Sequence, residues 1–96
     1  MFVAIRRYTG CKDVREVNKR VVEHLIPTLR GFPGLQSYSI IDLGGGSAAS
    51  VSVFDTRDHA EGATERVRAV VQQHLADLLP NPPEVTIGEL LSEHRK

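Results

Sequence analysis

Residues 2–8, FVAIRRY, divide into two alternating sets, Val3 and Ile5 against Phe2, Ala4, Arg6 and Tyr8. A run this short and partly β-branched, halted at Thr9-Gly10, predicts a strand. The period changes at Asp13. Val14, Val17, Val21, Leu25 and Leu29 recur at helical spacing, predicting a helix from Asp13 to about Leu29. Asp13 is placed to cap it, with Glu16 three residues on as in a capping box. Glu16–Arg20 and Lys19–Glu23 set opposite charges four apart on its outer side. Pro27 should kink or end the helix near Ile26, and Gly31 with Phe32-Pro33-Gly34 closes it.

Leu35 to Leu43 and Ala48 to Asp55 read as two strands joined by Gly44-Gly45-Gly46, a hairpin. A second helical stripe follows, Ala60, Ala63, Val67, Val70, Val71, Leu75 and Leu78, within a helix expected from Arg57 to about Leu79. Asp58 with Glu61 resembles another capping box. Pro80-Asn81-Pro82-Pro83 ends that helix, and Glu84 to Leu91 reads as a last strand. Ser92 to Lys96 is an expected frayed tail.

The order βαββαβ most simply gives an α+β, ferredoxin-like fold: a four-stranded antiparallel sheet with both helices on one face. The apolar rows Val3/Ile5, Val51/Val53 and Val85/Ile87 suit the helix-covered face. The open face would then carry Ala4, Arg6, Tyr8, Ser50, Ser52, Phe54, Thr86 and Leu90. That mixture is half apolar and should meet a second subunit or a ligand. For the second strand, Tyr38/Ile40 and Ile41/Leu43 both serve as inward pairs.

Length and charge narrow the partners. Ninety-six residues make one domain, 1–96, with a modest core that a second copy would enlarge. Lys+Arg and Asp+Glu are 12 each, so the formal net charge is zero. This leaves no basic surplus for nucleic acid or an anionic membrane surface. No apolar run is long enough to span a bilayer, and the start lacks the features of a signal peptide. The expected location is cytoplasmic. Cys11 is the single cysteine, which excludes an internal disulfide.

The segments FVAIRRY, FPGLQSY, VSVFDTRDHAE and LADLLPNPPEVTIGEL resemble the antibiotic-biosynthesis-monooxygenase-like domains of the dimeric α/β-barrel superfamily, over nearly the whole chain. The resemblance implies that the sheets of two copies pair across a homodimer to form a barrel. Such domains include cofactor-independent monooxygenases acting on polyketide-like aromatics and haem-degrading enzymes. The haem degraders rely on a first-strand Asn, a Trp and a second-helix His. Here His74 stands on the second helix, but the chain has no Trp and its first strand no Asn.

Candidate chemistry centres on a few side chains, each with a plainer reading. His74, at the edge of the second apolar stripe, can serve as a general base or pack at the helix margin. Arg6 can hold a carboxylate or phenolate, and Tyr8 and Tyr38 can donate a proton or stack on an aromatic; the same three suit a dimer interface. Tyr38 joins His74 as a catalytic candidate, and Phe54 joins Arg6 and Tyr8 as substrate-binding ones. His24 reads as a rim histidine. Ser37, Ser39, Ser50 and Ser52 lack a G-x-S-x-G elbow and read as small filler. Gly44-Gly45-Gly46 lacks the Lys and helix of a phosphate loop. Cys11 precedes a helix start, where a thiol can be activated, but reads as a bystander. His24, His59, His74 and His94 show no metal-ligand spacing. The expectation is a homodimer binding a small apolar or aromatic molecule, without metal or cofactor, acting as a cofactor-independent monooxygenase. Its alternative is a non-enzymatic sensor or interaction domain.

Overall fold

The alternating and helical patterns become four strands and two helical segments in a computed structural model describing residues 1–96. Strand β1 (Phe2–Tyr8) is followed by α1 (Val14–Arg20), a π-helical turn (Val21–Leu25) and α2 (Ile26–Leu29), which together make one helical rod. Then come β2 (Leu35–Gly44), β3 (Ser47–Phe54), α3 (Arg57–His74) and β4 (Glu84–Glu89). All strand pairs are antiparallel, in the order β2-β3-β1-β4. This is the ferredoxin-like arrangement expected from the element order.

Asp13 caps the first rod, its carboxylate accepting from the Glu16 N–H at 3.1 Å. Val17, Val21, Leu25 and Leu29 are buried along one side, each contributing about 1.5–3 kcal/mol relative to exposure. Pro27 does not stop the rod at Ile26. The Ile26 N–H bonds five residues back to the Val21 carbonyl, and this widened turn accommodates a proline that would clash with the carbonyl four residues before it. The second helix also departs from expectation at both ends. Its N-cap is Thr56, whose hydroxyl accepts from the His59 N–H at 3.1 Å, rather than Asp58. It ends at His74, and Leu75, Leu78 and Leu79 stay buried in the turns beyond it.

The faces of the sheet are inverted relative to expectation at β1 and β3. Ala4, Arg6, Tyr8, Ala48, Ser50, Ser52 and Phe54 are buried, and most of them join the core with the helices. The register aligns Tyr38 and Ile40 with Ser52 and Ser50, and Ile87 and Val85 with Ala4 and Arg6, on the same side. Val3, Ile5, Val51 and Val53 therefore lie on the open face with Ile41 and Leu43. The physical reason is size. Ala60 and Ala63 of α3 and Ala4 and Ser52 of the strands are all buried, and small side chains on both layers let helix and sheet approach closely. The bulky β-branched residues are left for the uncovered side. No helix is long and apolar enough to cross a membrane.

Candidate functional site

Close packing at the start of α3 gives way, toward its C-terminal half, to a cleft of about 240 Å³. Its floor is Arg6 and Tyr8 of β1 with Val85 of β4, which the register sets opposite Arg6. Its wall is α3, where Thr64, Arg68 and Gln72 recur every four residues beside Val67 and Val71. Its lid is the segment Leu79 to Pro83. Two bonds tie that segment and its approach to the loop after β1: Asn81 Nδ2 donates to the Thr9 carbonyl at 3.2 Å, and the Lys12 N–H donates to the Leu78 carbonyl at 3.1 Å. The prolines restrict the backbone there.

Arg6 is 2% exposed. Its guanidinium donates to Ser52 Oγ and Thr64 Oγ1, both at 3.4 Å. Burial lowers its pKa, partly offset by Tyr8 and Tyr38, yet an arginine stays protonated. Burial also pushes Tyr8 up to about 12, with Tyr38 adding to the rise and Arg6 opposing it. Tyr8 is thus a hydrogen-bond donor and not a base. No His, Asp, Glu or Cys lines the cleft, so proton removal from a ligand has no ordinary base within it.

The candidate residues separate in space. Arg6 and Tyr8 meet in the cleft. Tyr38 lies deeper, beside a void of about 20 Å³ that it shares with Tyr8 and the buried side of the first helical rod. Its pKa is raised, chiefly by burial; the neighbouring Ser50 hydroxyl opposes the rise but sits outside good hydrogen-bonding geometry, leaving that oxygen buried without a partner. Phe54 is sealed in the core and lines neither space. His74 stacks on His24 with ring centroids 4.0 Å apart and planes 1° from parallel, and is not among the cleft residues. Cys11 is buried, and burial raises its thiol pKa, away from the activated range. No cluster of three or more His, Cys, Asp or Glu could hold a metal ion.

Thr64, Arg68 and Gln72 were not singled out by the sequence reasoning. Their signal was present: a polar row at four-residue spacing bordering the apolar stripe. It looks like any solvated helix edge until a strand arginine is placed beneath it.

This architecture recurs in solved structures. A monooxygenase of Streptomyces coelicolor, ActVA-Orf6, crystallised with nanaomycin D, superposes with a TM-score of 0.78 at 16% identity, covering 99% of this chain and 91% of that one. The chain has the fold of the antibiotic biosynthesis monooxygenases. SnoaB, a cofactor-independent oxygenase of Streptomyces nogalater, gives 0.75 at 12% identity over 99% and 97% of the two chains. NE2512 of Nitrosomonas europaea, of unknown function, gives 0.78 at 16% identity over 99% and 93%. No family model and no curated protein matches the chain. At these identities the likeness is one of fold, and chemistry must be argued from the cleft.

Proposed function

We propose that the protein is a homodimer that binds a small apolar or aromatic molecule in the cleft between α3 and the helix-covered face of the sheet. The observation that carries this reading is the cleft itself. Val67, Val71, Leu79 and Val85 give it apolar surface, and Arg6, Tyr8, Thr64, Arg68, Gln72 and Asn81 add polar groups, a mixture that suits a small molecule with a polar end.

Two versions of this reading differ in chemistry. The oxygenase version takes its support from the fold shared with ActVA-Orf6 and SnoaB: an electron-rich phenolic or anthrone-type substrate would react with oxygen while Arg6 and Tyr8 hold its oxygens. The binding version is favoured by the lack of a side-chain base among the cleft residues and of Trp in the chain. Titration with an anthrone-type phenol, followed by ligand fluorescence and an oxygen electrode, tests both. Saturable binding that is lost in Val71→Trp, a substitution that fills the cleft, is expected. Oxygen uptake lost in the same variant establishes the oxygenase; binding without uptake establishes the sensor. Binding that Val71→Trp leaves intact would overturn the cleft as the site.

A further inference from the structure

The cleft carries an uncompensated charge. Two arginines, Arg6 and Arg68, line it and no carboxylate does, in a chain whose acidic and basic residues balance at 12 each. Arg68 is an ordinary surface cation at the mouth, paired with Glu65 at 3.1 Å. Arg6 is different in kind. It forms no ion pair, and its side chain meets only two neutral hydroxyls at the long limit of hydrogen bonding. The titratable groups close enough to feel its charge are Tyr8 and Tyr38. Both have raised pKa values, so neither supplies a negative charge near neutral pH. A guanidinium has five N–H donors in a planar fork. A buried charge without a partner is costly, and folded proteins pair such charges almost without exception. Arg6 lines the cleft, so an acceptor on a ligand there is placed to supply the missing partner.

We infer that the ligand is an acid bound as its anion: a small aromatic or alicyclic carboxylate whose head group sits on Arg6 and whose ring lies along Val67, Val71 and Val85. This rests on the reading of the cleft as a ligand site and adds its charge. The carboxylate supplies two coplanar acceptors matched to the guanidinium fork. Tyr8, protonated, can donate to the same head group. Arg68 at the mouth attracts the anion and is screened by salt. An unpaired Arg6 is then a stability cost retained for binding, a trade common at functional sites.

The test uses the intact protein and two probes of one shape, 2-naphthoate and its uncharged analogue 2-naphthamide. Titration calorimetry should give the acid an affinity at least ~tenfold higher, the scale of a charge-assisted hydrogen bond. Arg6→Met should erase that preference, bringing acid and amide to similar affinity. The ligand-free Arg6→Met protein should melt no lower than the native one, because an unpaired buried charge has been removed; a structural arginine would show the opposite. If Arg6→Met does not fold, Arg68→Gln provides the second measurement, with a smaller loss for the acid and a weaker salt dependence. Equal binding of acid and amide would overturn the anion inference and leave the cleft reading standing. Binding of neither probe, nor of the neutral anthrone-type phenol, would remove both.

Discussion

Tyr8 shows what burial does to a single side chain in this molecule. It is nine-tenths buried, and its phenol is driven from an ordinary value near 10 up to about 12. Tyr38 moves in the same direction, chiefly through burial. The folded state therefore prefers the protonated phenols, and the sign of the pH effect follows. For Tyr8 the stabilisation is complete below the unfolded value near 10 and is lost as pH rises toward 12, a change on the order of 3 kcal/mol. A spectrophotometric titration at pH 10 should find less phenolate in the native protein than in the denatured one, where both groups are about half ionised. Half-ionised tyrosine at pH 10 without unfolding would mean that the side chains are solvated and the floor of the cleft is not as described. At this scale the sequence identified Arg6 and Tyr8 as partners on one face of a strand, through simple alternation. It placed that face on the wrong side of the sheet, because hydropathy favours Val3 and Ile5 over Ala4 and Arg6 as core. Side-chain volume decided instead, since only the small set lets α3 descend onto the strands.

Elements were more legible than faces. Every strand and both helical segments follow from periodicity and turn residues, and the Gly44-Gly45-Gly46 reversal has positive φ at each glycine, which explains three glycines in succession. The departures are local hydrogen-bonding choices. Thr56 and Asp58 are both good N-cap residues, two positions apart, and spacing to Glu61 pointed to Asp58. The chain chooses Thr56, extended at φ −130° and bonded to the His59 N–H, and it leaves Asp58 in the first turn, where its charge favours the helix dipole. His59 gains a second tie, its Nδ1 lying 2.7 Å from the Asp55 carboxylate, and this links the end of β3 to the start of α3. The two threads separate on mutation. Thr56→Ala should cost about 1 kcal/mol, the worth of an N-cap bond. Asp58→Ala should cost a few tenths, the worth of an exposed charge at a helix start. Urea denaturation of the two variants decides it, and a larger loss in Asp58→Ala would return the cap to Asp58.

At the scale of the whole molecule the inverted sheet has a consequence for assembly. The open face holds Ile5 at 44%, Ile41 at 42% and Leu43 at 46% exposure, with the half-buried Val3, Val51 and Val53 between them. The register sets Val3 beside Val53, Ile5 beside Val51 and Ile41 beside Ala49. The result is an apolar field across three strands, interrupted by Ser37 and Ser39 of β2 and flanked by Arg7 of β1, and an exposed patch of this kind points to an interaction surface. A second copy placed face to face would bury the same residues twice, since a two-fold interface uses one patch on both partners. From sequence, the partner is expected on the other face, one that mixes arginine, tyrosine and serine; the face that is open carries Val3, Ile5, Val51, Val53, Ile41 and Leu43 instead. The native protein is expected at twice the chain mass by light scattering. The doubly substituted Ile5→Asp/Ile41→Asp chain should run as a monomer, because four carboxylates would face each other across a dry interface, each costly to desolvate. The same variant separates assembly from binding. Its substitutions point away from α3, so the cleft on the opposite side of the sheet should still take its ligand within a few-fold of native affinity. A substituted chain that stays dimeric would put the interface elsewhere. A monomer that no longer binds would mean that the second sheet is needed to hold β1, and with it Arg6, in place beneath the cleft.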